Sequence, residues 1–159
     1  MARVRIGTLE RERITLDVRG RGHPEADDYW DGNWLRTEIH VEVGSWRGRI
    51  LDELRVDEFE RFLPEVRRLH TELEAIAEFA AMDGRLFLRL VGDGSGHIKV
   101  EGEATDNPGY GNELSFRFEL DQTFLPQLIR DLEDLLSEYP VVGERPSPSE
   151  GTNGSWSES

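Results

Sequence analysis

No cysteine occurs among the 159 residues, which excludes a disulfide framework and any thiolate nucleophile or metal ligand. No apolar run approaches the roughly 20 residues of a membrane-spanning helix, and Met1-Ala2-Arg3-Val4-Arg5 lacks the apolar stretch of a secretory signal. These absences predict a cytoplasmic protein. Positive charge is also scarce: 19 Lys plus Arg stand against 33 Asp plus Glu, a formal net charge of −14. Phosphate binding needs a basic face, so nucleic acid is not expected as a direct ligand, nor is an anionic membrane surface. A basic protein partner fits that balance, although excess acid also serves solubility alone.

What the chain does have is alternation. Arg3 to Thr8 reads as a weak first strand, and Arg13 to Arg19 places Ile14, Leu16 and Val18 on one face. In Leu35 to Val43 the residues Leu35, Thr37, Ile39, Val41 and Val43 face inward, while Arg36, Glu38, His40 and Glu42 face solvent. Gly44-Ser45 turns the chain into Trp46 to Leu54, which pairs back as a hairpin. From Asp57, a candidate helix cap, the period becomes helical through Phe59, Phe62, Leu63, Val66, Leu69 and Leu73. Pro64 sits inside that stripe and predicts a kink there, or a helix that starts only near Phe62. Strand character returns at Ala75 to Ala80, Arg85 to Val91, His97 to Thr105 and Asn112 to Leu120. A closing helix spans about Gln122 to Tyr139, with Asp121 or Thr123 as its cap and Phe124, Leu125, Leu128, Ile129, Leu132, Leu135 and Leu136 as its buried stripe.

The fold class expected is therefore α+β: a largely antiparallel, twisted sheet of about seven to eight strands with two amphipathic helices packed on it. The halves echo each other. Gly32-Asn33-x-Leu35 opens one strand and Gly111-Asn112-x-Leu114 another, and Phe62-Leu63-Pro64 and Phe124-Leu125-Pro126 each accompany a helix. Either match alone could arise by chance; their common order is what an internal repeat would leave, with the Trp46 to Leu54 strand as an insertion in the first half. Residues 1–142 form one domain on this reading. Residues 143–159 turn to Pro, Ser, Gly, Glu and Asn, too poor in apolar area to offset the entropy of ordering, and are expected to be a disordered tail.

Chemistry is thinly supplied. His23, His40, His70 and His97 are scattered, none at a metal-binding step from another. Asp93, Ser95 and His97 invite a hydrolase reading, but Ser95 lies between glycines with no nucleophile elbow. Asp27-x-Tyr29-x-Asp31-Gly32 with Glu38 imitates a calcium loop, yet Tyr29 replaces an oxygen ligand and a strand follows where that motif needs a helix. Paired carboxylates can be picked from so many acids at will. No catalytic residue, metal or cofactor is expected.

The most informative segment is Asp27-Asp28-Tyr29-Trp30-Asp31-Gly32-Asn33-Trp34-Leu35. Its Gly-Asn pair predicts a tight turn. Exposed aromatics give contact area at low entropic cost and rim charges steer an oppositely charged partner. Asp27, Asp28, Tyr29, Trp30, Asp31 and Trp34 are thus the first candidates for a partner-binding surface, with Asp106 and Tyr110 on the matching second loop behind them. The same segment also fits an architectural role in which Trp30 and Trp34 close the end of a sheet.

That segment, together with Gly96-His97-Ile98-x-Val100, Gly111-Asn112-x-Leu114 and Asp121-Gln122-Thr123-Phe124-Leu125-Pro126, resembles the WapI family of bacterial immunity proteins over about Ile14 to Leu136. The resemblance implies protection of a cell from the C-terminal domain of a large polymorphic toxin, in the founding case one that cleaves tRNA. It brings no catalytic motif. The expected function is an immunity protein that occludes its toxin domain; a small enzyme of unknown reaction and an assembly subunit are the alternatives.

Overall fold

The computed structural model describes residues 2–146. Eight antiparallel strands form two four-stranded meanders rather than one sheet. The first contains β1 (Ala2–Gly7), β2 (Arg13–Arg21), β3 (Trp34–Val43) and β4 (Trp46–Arg55), in that spatial order; the second contains β5 (Ile76–Ala80), β6 (Leu86–Gly92), β7 (His97–Thr105) and β8 (Glu113–Asp121). Each meander is followed by a long helix, α2 (Val56–Glu72) or α3 (Leu125–Glu138), while the short α1 (Tyr29–Gly32) interrupts the connection from β2 to β3. Every strand expected from alternation is present, within two residues at each end.

Period-two burial builds the core. Val4, Ile6, Ile14, Leu16, Val18, Leu35, Ile39 and Val41 line the inner face of the first sheet; Phe79, Leu86, Leu88, Leu90, Val100, Phe118 and Leu120 line that of the second. The helix α3 lies along β1, α2 lies along β5, and the two helices pack on each other, so one continuous core joins both halves. Phe79 meets Phe59 and Phe62 of α2 with ring centres 5.0 and 5.7 Å apart. Each such ring stabilises the fold by about 1.5–3 kcal/mol through burial.

Four local expectations need correction. The helix α2 is unbroken at Pro64, which is exposed, while Phe59, Phe62, Leu63, Val66 and Leu69 are buried on the other side. The missing bond costs ~3 kcal/mol, and the buried stripe on both sides of the proline offsets it. Asp57 is not the cap. The helix begins one residue earlier, and Glu58 Oε1 accepts the Arg55 N–H at 2.9 Å while Asp57 pairs with the Arg55 side chain. The Gly32-Asn33 pair makes no tight turn; it ends α1, whose cap Asp28 accepts the Asp31 N–H at 3.1 Å. Finally, β4 is not an insertion, since each half holds four strands, and the Gly-Asn matches open the third strand of one meander and the fourth of the other.

Candidate partner-binding surface

The aromatic segment is organised by a residue that its own sequence does not contain. Arg55, at the end of β4, is completely buried and cross-strand from Trp34. Its guanidinium carbon lies 5.2, 5.1 and 4.9 Å from the ring centres of Tyr29, Trp30 and Trp34. Each of its three side-chain nitrogens donates: Nε to Asp57 Oδ1 at 2.8 Å, Nη1 to the Trp30 carbonyl at 2.7 Å and Nη2 to the Tyr29 carbonyl at 2.8 Å. Burying a charge is costly unless it is paired and hydrogen-bonded, and here both conditions hold. Each cation–π contact adds about 0.5–2 kcal/mol.

The other side of α1 is held by Asn33 and the segment after α3. Asn33 is fully buried; its Nδ2 donates to the carbonyls of Tyr29 (2.8 Å) and Val142 (2.9 Å), and its Oδ1 accepts the Val142 N–H at 2.9 Å. Arg21 donates to the carbonyls of Gly32 (2.8 Å) and Pro140 (2.6 Å). A Cβ on Gly32 would collide with Val142, which explains glycine at that position. The segment after α3 is thus docked on α1 as far as Val142 and Gly143. The tail expected beyond it falls mostly on residues 147–159, which lie outside the described residues.

Tyr29 is buried and serves as a wall around Arg55. Trp34 is half-buried in the same role. Asp28 caps α1. Asp27 and Asp31 are exposed on either side of Trp30, itself 51% exposed, with its ring edge against Tyr29. On the second loop, Asp106 receives the Asn112 N–H at 2.7 Å and so holds its own turn; those hydrogen bonds keep its carboxyl below the usual range. Tyr110 projects beside it, 86% exposed. Arg85 links this loop to the first sheet, donating to the Asp106 carbonyl at 2.7 Å and pairing with Asp52 of β4 at 3.2 Å. Among the described residues no hydrogen bond or ion pair joins the two loops directly.

Sequence reasoning missed two clusters. The outward row Glu38, His40 and Glu42 was expected to be solvated, but Glu38 is buried among cations. It accepts from Arg49 Nε (2.7 Å) and Arg19 Nη2 (3.0 Å), with His40 Nε2 at 2.8 Å. Hydrogen bonding from Arg49 is the main cause that holds its carboxyl down at about 2. The outer face of the first sheet is rich in arginine, with Arg3, Arg13, Arg19, Arg36, Arg47 and Arg49 around Asp17, Glu38 and Glu42; the outer face of the second carries Glu78, Glu101, Glu103, Glu113 and Glu119. Between the halves, burial pushes Asp52, facing Asp83, and Glu58 up to about 7 each. The turn at Asp93 is local architecture. Asp93 Oδ1 accepts from Ser95 N (2.7 Å) and Ser95 Oγ (2.9 Å), and Oδ2 faces His97 Nδ1 at 3.2 Å, all on the exposed surface.

Residues 5–140 match the model of the immunity protein WapI-like family. The chain belongs to that family. It is accordingly an immunity protein. A chain of the solved CdiA-CT/CdiI toxin and immunity complex from Enterobacter cloacae is similar at 8% identity and a TM-score of 0.42, over 75% of this chain and 97% of that one. No curated protein matches.

Proposed function

We propose that the protein neutralises a cognate polymorphic toxin C-terminal domain inside the cytoplasm by binding and occluding it, with no catalytic turnover and no metal. The toxin is a nuclease, such as a tRNase, whose active site must be basic to hold phosphate; an acidic inhibitor can occupy the same field. The observation that carries this reading is Trp30, half-exposed between the exposed Asp27 and Asp31 while its backbone is held from beneath by the buried Arg55. A rigid aromatic anchor with a charged rim is the arrangement that concentrates binding energy. Asp106 and Tyr110 form a secondary contact.

The test is co-expression with the toxin domain encoded beside this gene, scoring growth, then titration of the purified pair. Trp30→Ala is expected to weaken binding by ~30-fold or more while leaving the fold intact. Reversal of Asp27 and Asp31 to Lys should slow association most at low salt. Rescue without measurable binding would indicate an enzyme that repairs the damage, and neither rescue nor binding would remove the inhibitor reading.

A further inference from the structure

A sheet edge is an open row of backbone donors and acceptors, which proteins usually guard. Two of the four edges here are guarded by carboxylates from the helices: Asp131 of α3 accepts the Arg5 N–H of β1 at 3.2 Å, and Glu65 of α2 accepts the Glu78 N–H of β5 at 2.8 Å. The β4 edge is different. Trp46 to Arg49 are exposed, and among the described residues no side chain bonds to the backbone of Trp46 to Leu51. The fourth edge, β8, is also uncapped, but its large apolar side chains are buried or half-buried, whereas β4 exposes Trp46 (66%) and Leu51 (65%).

The geometry of the hairpin says which groups are free. A two-residue Gly44-Ser45 loop with Gly44 at φ +57° joins β3 to β4, so Val43 and Trp46 form a pair that exchanges hydrogen bonds and every second pair after it does the same. The backbone groups of Arg47, Arg49 and Leu51 therefore point away from β3. The ladder runs without a bulge from Val43↔Trp46 to Trp34↔Arg55, leaving that row straight. On the inner face Gly48 has open space where a Cβ would stand. Glycine weakens a strand unless something approaches closely, and here nothing of the chain's own does.

We infer that the β4 edge from Trp46 to Leu51 receives an extended segment of the toxin domain as a fifth strand. Its side chains alternate: acidic ones on the outer face beside Arg47 and Arg49, bulky apolar ones on the inner face over Gly48 and against Trp46. A second copy of this chain fits worse. Pairing about the middle of the exposed run would gather Arg47 and Arg49 with their two copies on one strand pair.

This rests on the proposed toxin binding, and the experiment separates the two. The full chain is titrated with the purified, catalytically inactivated toxin domain encoded beside it. Arg47→Pro removes one outward N–H without touching the β3 ladder, and Arg47→Ala controls for the side chain. Arg47→Pro is expected to weaken binding by ~30-fold or more and Arg47→Ala by no more than about 5-fold, with unchanged melting temperatures for both. Amide exchange on the unaltered protein should show new protection at Arg47, Arg49 and Leu51 in the complex. Binding by the unaltered protein that Arg47→Pro leaves unchanged, or no new protection there, overturns the fifth strand while toxin binding stands. Failure of the unaltered protein to bind overturns both. A dimer in sedimentation that Arg47→Pro dissolves assigns the edge to a second copy and overturns the toxin segment.

Discussion

The two ends of the β3–β4 ribbon carry the same residue types and use them in opposite ways. At one end Trp34 and Arg55 face each other across the strands, and Arg55 is buried against three rings with each side-chain nitrogen hydrogen-bonded. At the other, Trp46 and Arg47 extend from the body of the protein with open space at Gly48 between Arg47 and Arg49. Tryptophan and arginine are the residues most favoured both in buried cation–π contacts and in binding hot spots. What separates the two uses is cover: α1 and the segment through Val142 close over one end, and no element among the described residues closes over the other. Stability should therefore be concentrated at the Arg55 end and binding capacity at exposed Trp30 and along β4.

The sharpest way to break that contrast is at Arg55. Arg55→Ala is expected to destabilise the fold by ~3–5 kcal/mol, because it leaves the buried Asp57 carboxylate with only the partly exposed Arg61, 3.2 Å away, and frees two carbonyls; denaturant unfolding measures this, and a loss under 1 kcal/mol would show that the ring cluster is not structural. Asn33→Ala removes three buried or partly buried hydrogen bonds at the same end and should cost about 1–3 kcal/mol, with proteolysis near Val142 as an independent readout of the released segment.

A smaller effect concerns the join between the halves. The carboxyls of Asp52 and Glu58 are raised by burial, to about 7 each, above the ordinary 3.8 and 4.5. A raised carboxyl binds more protons folded than unfolded, so its contribution is complete below the ordinary carboxylate range and is lost as pH rises to about 7. Glu38, held down to about 2, acts in the opposite sense and loses its contribution only as pH falls through that value. Stability is thus expected to decline between about pH 4.5 and 7. Asp52→Asn, which can donate to Asp83 and still accept from Arg85, should flatten that decline; an unchanged pH profile by thermal melting would place the cause elsewhere. The smallest expected effect is at the open end, where Trp46→Ala should alter stability by no more than ~0.5 kcal/mol yet weaken toxin binding. A large loss of stability there would mean that the tip is covered after all. Truncation after residue 146 is expected to be as mild, since the docking segment ends at Val142 and Gly143.

The strands were legible because a half-buried strand must alternate, and in β7 the alternation ends where the strand does, at His97 and Thr105. Helix α3 was legible for the analogous reason at a period of 3.6, although it starts at Leu125 rather than near Gln122; Asp121 caps the short 3-10 turn Gln122–Phe124 that leads into it, accepting the Thr123 N–H at 2.9 Å. Pro64 misled because a local rule weighs one missing hydrogen bond, whereas the helix is held by five buried side chains around it. The candidate site was legible as a segment but not as a surface: its composition marked residues 27 to 34, while the inward turn of Tyr29 depends on a guanidinium 26 positions away.

By itself, then, the sequence determined the class of the protein, the order and period of its elements, the family to which it belongs and the acidic character of its whole. These depend on composition and on neighbours a few positions apart. Only the tertiary structure decided that the strands divide into two meanders, that Glu38 is a buried ion cluster instead of a solvated one, that Arg55 claims Tyr29 and Trp34, and that β4 is left open. Each of those follows from which distant residues are brought into contact, and burial and charge pairing are properties of that contact rather than of either residue alone.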